Sequence, residues 1–544
     1  MKIEEIARKY ALINALEFNG KADIQAVIGK IIKEDNNLKE KIKDVAKIVA
    51  KVVKEINDLS LDEQKREFEK LGIKIEKTEE KKGLPDLPFA EFGKVITAFP
   101  PEPSKYPHLG HAKAALINYV YAKKYKGKFI LRFEDTNPEL AKKEYYDAII
   151  DGLKWLGIEF DKIDYISDNI EKYYKFAEKL IMEGKAYVCL CRQDEIKKNR
   201  ANGIGCEHRE QNIKENLSLW KKMFNEFEEK EVTLRLKIDT EHKNTTMRDP
   251  SIIRIIDKDH PRTGKKFRLW PTYDFGTSVM DGLEGVTHRF RSKEFEMRDE
   301  LQKYIQKILG FKQTYIHEIA RFNLEGVPSS GRIIRQMISE GKLHGWDDPR
   351  LNTLIALKRR GFLPEAIKEF LLSTGISKSE STLTWEMLES FNRKYLDQKA
   401  NRYFAVINPI KIEINGLTNE VEELLHPDFP ERGKRKIMVS KNIYIEKSDY
   451  EKYFGRVVRL IGLGNIKLNK NPEYTGNEVL QHMPKIQWVS EPFVKIKIMM
   501  NDGKIVDAIA EPKIKDCNDH VQFVRLGFAK LDSRKDMLFY FTHR

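Results

Sequence analysis

The strongest constraint on the fold lies between Lys94 and Leu156, where strand-like and helix-like patterns alternate. Lys94–Phe99 is a β-branched run, a proline-rich loop follows, and a helical pattern extends from about Gly110 to Tyr125. Lys128–Phe133 reads as a second strand and about Leu140 to Leu156 as a second helix. Strands joined by crossover helices pair in parallel, because a parallel pair needs a dozen or more connecting residues. This order predicts an α/β doubly wound (Rossmann-like) domain. Near Ala186 the alternation stops, and a stretch rich in Cys, Lys and Arg runs to about Leu269. Strand-helix material resumes at Tyr273, so the stretch reads as an insertion within the α/β domain.

The flanks follow different rules. Ile42, Val45, Val49, Val52, Val53 and Ile56 recur at helical spacing, which predicts an N-terminal helical domain. Such a stripe serves a bundle core or the docking of a partner protein. A polar stretch, EKTEEKKGLPDLP, with Gly83 and Pro85, separates it from the rest. After Leu351 come helical patterns (LNTLIALKRRG, PEAIKEFLLSTG, TWEMLESFNRKYL). From Tyr403 short alternating runs such as KIEI, NIYIEK and VKIKI predict C-terminal all-β barrels, with Asp502-Gly503 at a hairpin turn.

Charge and hydropathy narrow the function. The most apolar helical stretch, Val45–Ile56, is broken by Lys47, Lys51 and Lys54, and mean hydropathy is −0.56, which excludes a membrane protein. MKIEEIARKY lacks the apolar core of a signal peptide, so a cytoplasmic location is expected. A net charge of +14 and a pI near 9.1 favour a polyanionic partner.

Chemistry concentrates in TAFPPEPSKYPHLGHAKAAL, Thr97–Leu116. His108 and His111 bracket Leu109-Gly110 at a strand-to-helix junction. The free N–H groups and dipole of a helix start favour an anion, and two imidazoles add donors. Gly110 lets a flat base lie against the backbone. Together they predict a site for nucleotide phosphates that gain charge during reaction. Two capping histidines with a structural glycine are the plainer alternative. A second constellation, Cys189-x-Cys191 and Cys206-x-His208, supplies four ligands within twenty residues, enough for a tetrahedral Zn²⁺. Its alternative is buried thiols beside a surface histidine. The chain's four cysteines are too few for a disulfide framework; Cys517 is read as structural, and Gly462–Gly464 as a β-turn.

The His108–His111 segment resembles the HIGH motif of class I aminoacyl-tRNA synthetases, in the glutamyl/glutaminyl branch. Similar to that branch are also FPPEP (Phe99–Pro103), LRFEDTNP (Leu131–Pro138), WPTYDF (Trp270–Phe275), GVTHRFRS (Gly285–Ser292), GWDDPRL (Gly345–Leu351) and VQFVRLGF (Val521–Phe528). The N-terminal helices and the β-rich C-terminal third resemble the archaeal and eukaryotic form of glutamyl-tRNA synthetase. The resemblance implies ATP-dependent activation of L-glutamate, with Mg²⁺, and transfer to the terminal adenosine of tRNA(Glu). A glutaminyl enzyme and a catalytically weak tRNA-binding homologue are the rival readings.

By the same resemblance, His108 and His111 stabilise the phosphates, and Pro101 and Gly110 line the ATP site. Glu134 holds the substrate ammonium, unless it or Asp135 caps the following helix. Glu102, Tyr273 and Thr277 belong to the amino-acid pocket. Arg291 is the expected selector of the side-chain carboxylate, unless it pairs with a local acid such as Glu294 or contacts a tRNA phosphate. Some relatives carry a zinc knuckle in the insertion. The implied partition is 1–85 N-terminal helical domain, 86–182 and 271–325 the two catalytic halves, and 183–270 the acceptor-stem insertion. Residues 326–400 hold the second-motif loop and stem-contact helices, and 401–544 the anticodon-binding barrels.

Three positions depart from the family pattern. Ala98 stands where an Arg for the amino-acid carboxylate is usual, and Lys105 where a Gly is usual. The second class I motif, a Lys-Met-Ser-Lys-Ser-like loop, is here VPSSGRII (Val327–Ile334), and its usual lysine falls on Ser330. Arg332 is then the expected cation, Ser329 and Ser330 hydrogen-bond donors, and Lys342 the next candidate.

Overall fold

In the computed structural model the described residues are 3–17, 20–34, 42–71, 84–328, 330–380, 382–479 and 481–544. The chain forms two compact units, Met1–Gly83 and Leu84–Arg544. The first holds α1 (Ile3–Glu17), α2 (Ile24–Glu34), α3 (Ile42–Asn57) and α4 (Leu61–Lys70). Val45, Val49, Val52, Val53 and Ile56 of α3 are buried with Ala7, Ala11 and Ala15 of α1 and Val27 and Ile31 of α2. The apolar stripe therefore serves the bundle's own core. The Ile42 side chain and residues 76–83 of the expected linker lie outside the described residues.

In the second unit the alternation appears as β1 (Ile96–Phe99), α5 (Leu109–Lys124), β2 (Lys128–Phe133), α6 (Lys143–Trp155), β3 (Lys162–Tyr165) and α7 (Ile170–Met182). The second helix starts later than its pattern suggested, because Asn137 O first accepts from the N–H groups of Leu140 and Ala141 in a turn. The insertion supplies β4 (Ala186–Cys189), α8 (Gln193–Asn202), α9 (Ile213–Lys222), β5 (Thr233–Leu236), β6 (Ser251–Ile255) and β7 (Leu269–Pro271). Its strands form one antiparallel sheet in sequence order. Then follow α10 (Tyr273–Glu284), β8 (His288–Ser292), α11 (Asp299–Leu309), β9 (Tyr315–Ile319), α12 (Gly331–Ser339) and α13 (Leu354–Arg360).

The catalytic sheet runs β3-β2-β1-β8-β9, with every neighbour parallel. The chain winds outward to β3, returns through the insertion, and continues on the other side of β1. Loops leaving β1 and β8 thus turn in opposite directions and open a crevice at the carboxyl ends of the strands. One hydrophobic cluster includes Tyr173 of α7, Val188, Leu234, Ile253 and Trp270 of the inserted strands, Val279 of α10 and Ile305 of α11. That shared core fixes the insertion to the crevice wall.

Beyond α13, helices Pro364–Ser373 and Trp385–Lys399 lead into the β-rich part. Its largest sheet has seven strands, and its two edges are β10 (Asn401–Tyr403) and β11 (Ala405–Ile407). These edges are consecutive stretches of chain broken only at Phe404, so the sheet nearly closes on itself as a barrel. Val494–Met499 and Ile505–Ala510 pair antiparallel across Asp502-Gly503, where Gly503 adopts φ 84°. Gly462 turns the chain between the antiparallel strands Val457–Leu460 and Gly464–Lys467, as expected of that segment. Among the described residues no helix is long and apolar enough to cross a membrane.

Candidate active site

The crevice places the two histidines at the start of α5. His108 is the N-cap, and its Nδ1 accepts from the Gly110 N–H at 3.1 Å. His111 Nδ1 in turn accepts from the His108 N–H at 3.3 Å, and the two rings stack with centroids 4.1 Å apart. A ring whose Nδ1 accepts keeps its proton on Nε2, so both imidazoles are Nε2–H donors. Desolvation, then the charges of Lys105 and Arg321, push His108 down to about 3. Desolvation, then His108 and Lys105, hold His111 well below its ordinary value. Both rings are neutral donors at physiological pH. Gly110 permits the arrangement: a Cβ there would lie 2.9 Å from His108 Cε1. The capping alternative is met, and the cap is what fixes the tautomer of both rings.

Backbone bonds hold this turn in place. Leu109 N–H donates to Asn352 O at 3.2 Å, and Leu354 N–H to Pro107 O at 2.8 Å. Buried Pro101 accepts from the Glu134 N–H at 3.0 Å, tying the loop after β1 to the end of β2. Glu102 is exposed, and its carboxylate accepts from Ser104 Oγ at 2.8 Å.

A second group of side chains forms a floor of buried charge. Asp274, Thr277, Asp281 and Glu284 repeat at three- and four-residue spacing, forming one buried polar stripe of α10. Arg132 of β2 pairs with Asp281 at 2.9 Å and Glu284 at 2.7 Å, and donates to Thr277 Oγ1 at 3.1 Å. Arg289 of β8 reaches Asp281 and Thr277 Oγ1, both at 2.7 Å. Arg291, two residues on and therefore on the same strand face, donates to Gln302 Oε1 at 2.9 Å and pairs with Asp299. Its acidic partner is Asp299 of α11, so the pairing with a local acid is met, through Asp299 and not Glu294.

Glu134 ends β2 over this floor. It is buried, 3.6 Å from Arg132, and its Oε1 accepts no hydrogen bond from a described residue. Burial raises its pKa to about 7 against the pull of Arg132. It does not cap α6, whose N-cap is Lys142; Asp135 instead accepts from Ser167 N–H and Oγ and from Tyr146 OH. Tyr273 begins α10, ring to ring with Phe295 at 5.4 Å, and the charges of Glu134, Arg289 and Arg291 all act on its hydroxyl. Ala98 is fully buried in β1 with Ile130 and Val286, so no side chain rises there into the pocket.

The second-motif loop leads into α12. Ser330 is its exposed N-cap, Arg332 is exposed in its first turn with no hydrogen bond or ion pair to a described residue, and Ser329 lies outside the described residues. Lys342 is exposed and pairs with Glu340 at 2.7 Å. Arg335 donates to Ser104 O at 2.7 Å, which joins α12 to the loop that carries Lys105.

Cys189, Cys191, Cys206 and His208 converge, with all four ligand atoms within 4.8 Å of one another. Cys189 and Cys206 Sγ are 3.7 Å apart, and Cys191 Sγ lies 3.5 Å from His208 Nδ1. Bonds of about 2.3 Å to sulfur and about 2.0 Å to nitrogen give tetrahedral edges of about 3.5 to 3.8 Å, so the geometry fits Zn²⁺. Three thiolates around a dication leave one net negative charge. Buried Arg235 faces it, with Nη1 3.8 Å from both Cys189 and Cys206. Cys517 is buried in the core of the C-terminal barrel.

Arg132, Arg289, Asp281 and Gln302 were not singled out from the sequence. The alternation in HRFRS and the polar stripe along α10 were the available signals.

A family model described as tRNA synthetases class I (E and Q), catalytic domain, matches residues 94–398; one described as the anti-codon binding domain of the same class matches residues 400–483. The chain is 44% identical over 564 residues to a protein of Pyrococcus furiosus named glutamate–tRNA ligase, with 98% of each chain covered. A protein of the same name from Nitrosopumilus maritimus is 40% identical over 569 residues, with 100% of each chain covered. The chain belongs to the E and Q family of class I tRNA synthetases.

Proposed function

We propose that the chain is a glutamate–tRNA ligase. Two observations carry this reading: the buried guanidiniums of Arg289 and Arg291, held by Asp281, Asp299 and Gln302, and the paired neutral histidines at the start of α5. A pocket separates glutamate from glutamine strongly only by charge, because their shapes nearly coincide and a desolvated cation gains nothing from an amide. Arg291 and Arg289 supply that charge, and Glu134 takes the substrate ammonium. Tyr273 and Thr277 line the wall between them, and Glu102 closes the pocket from the loop after β1. The substrate's own α-carboxylate is then free of the arginine that Ala98 replaces.

ATP enters with its Mg²⁺ along Pro101 and Gly110. The Nε2–H groups of His108 and His111 donate to the phosphates at the positive end of α5. The glutamate α-carboxylate attacks the α-phosphorus and pyrophosphate leaves; a hydroxyl of the terminal ribose of tRNA(Glu) then attacks the acyl carbon of the adenylate, taking the glutamyl group and releasing AMP. Neutral donors suit this step: they strengthen as negative charge grows on the phosphates and need no proton transfer. Ser330 and Arg332 stand at the α12 end of the same gap.

The remaining parts follow the partition given above. Residues 183–270 guide the acceptor end, 326–400 contact the stem, and 401–544 read the anticodon, which gives the net charge of +14 its phosphate partner. Cys189, Cys191, Cys206 and His208 hold Zn²⁺, which staples the insertion together. A ligase that charges tRNA works where translation occurs, in keeping with a cytoplasmic location.

Exchange of pyrophosphate into ATP tests the reaction. With tRNA present, glutamate should support exchange at least about 100-fold better than glutamine. No exchange with either amino acid leaves a tRNA-binding homologue, and a preference for glutamine makes the enzyme glutaminyl.

The pH profile tests Glu134. Only its ionised form holds an ammonium, and burial has raised its pKa to about 7. The kcat/KM for glutamate should therefore fall as pH drops below about 7, approaching one decade per pH unit. The Glu134→Gln variant should be slower and lack that step. The kcat/KM for ATP should show no histidine step near pH 6.5, since His108 titrates at about 3.

Metal analysis tests the third element. Purified protein should carry about one equivalent of zinc, lost in a Cys189→Ser, Cys206→Ser double variant. tRNA charging should then suffer more than glutamate-dependent exchange. Zinc-free protein of full charging activity would leave the cluster as buried thiols.

A further inference from the structure

The second-motif loop lacks the lysine usual at position 330, yet a lysine stands on the histidines' own loop, against the start of α12. We propose that Lys105 is the cation that meets the ATP polyphosphate, replacing the lysine absent at Ser330. This rests on the reading of the His108–His111 turn as an ATP site.

Lys105 leaves the loop after β1 three residues before His108 and lies partly buried. Its stem crosses the first residue of α12: a Cβ on Gly331 would stand 3.0 Å from Lys105 Cδ and 3.2 Å from its Cβ. Any side chain at residue 331 would press on the lysine, so the bare glycine fits it. The residue after the missing lysine is thus in van der Waals contact with the lysine that stands where a glycine is usual. The two departures from the family pattern are one arrangement seen from both walls of the gap.

The ammonium has no hydrogen bond or ion pair with a described residue. Desolvation lowers its pKa, and its charge is one of those depressing both His108 and His111. Glu102 and Glu294 act on it only at longer range, and Arg321 and Arg335 add further positive field. Arg335 is engaged by Ser104 O, and Arg321 approaches Glu294 at 3.9 Å. A desolvated ammonium without a carboxylate partner, whose charge acts on both imidazoles, is costly. A polyphosphate relieves that cost. Arg332, by contrast, is exposed, and its flat fork is not a lysine's point charge.

Four variants test the assignment by ATP–pyrophosphate exchange with saturating glutamate and tRNA. Lys105→Met keeps the stem on Gly331 and removes the charge; its kcat/KM for ATP should fall about 100-fold. tRNA affinity and thermal midpoint should stay near wild type. Arg332→Ala should lose less than about threefold. Adding Ser330→Lys to Lys105→Met should recover most of the loss, because the two side chains enter one gap. A Lys105→Met enzyme with wild-type kinetics for ATP overturns the proposal, and so does an impaired one that Ser330→Lys leaves unimproved. His111→Ala separates this failure from failure of the site itself. Undiminished exchange in His111→Ala removes ATP from the turn altogether, whereas its loss beside a normal Lys105→Met rejects only the role of Lys105.

Discussion

Two arginines cannot be buried side by side unless acids are buried with them, and here they share one. Asp281 lies 2.9 Å from Arg132 and 2.7 Å from Arg289, while Thr277 Oγ1 accepts from both. Arg132 comes from β2, Arg289 from β8, and their partners from α10. This single knot therefore spans the topological switch point of the sheet and sets the width of the crevice. Removing one partner from such a set typically costs about 3 to 5 kcal/mol, since it strands a desolvated charge. Gln302 extends the knot to α11, accepting from Arg289 and Arg291 while donating to Asp274 at 3.0 Å. Arg291 is thereby held by a network, as a residue that must discriminate needs to be.

The phosphate side of the crevice works on the opposite principle. It holds few fixed charges and many oriented dipoles: two histidines locked as donors by their own backbone and the N-terminus of α5. Neutral donors pay little desolvation cost in the empty site. They also leave the main positive charge to a single flexible lysine and to the nucleotide's own counter-ion. The contrast between rigid charge at the amino-acid end and oriented dipoles at the phosphate end follows from the substrates. One end must separate a carboxylate from an amide, and the other must follow charge as it moves.

Much of this was legible in the chain. The alternation from Lys94 to Leu156 led to the parallel sheet; His108 and His111 open α5, and Glu134, Tyr273 and Thr277 gather about Arg132 and Arg289. The stripe of α3 became the core of its own bundle. What stayed hidden depends on contacts between residues far apart in sequence. Arg132 and Asp281 read separately as ordinary surface charges, and only the pairing of β2 with α10 makes them a buried set. Lys105 and Ser330 read as two unrelated departures until the loop and α12 were seen in contact. A local acid such as Glu294 was the alternative partner of Arg291, and the 3-10 turn before α11 makes that acid Asp299.

The central claim is that a buried, network-held guanidinium makes this a glutamate pocket, and the Arg291→Cys variant tests it most directly. The account predicts a KM for glutamate raised about 100-fold, an unchanged KM for ATP, and a preference over glutamine that narrows or inverts. A folded Arg291→Cys enzyme that keeps full selectivity for glutamate would contradict it.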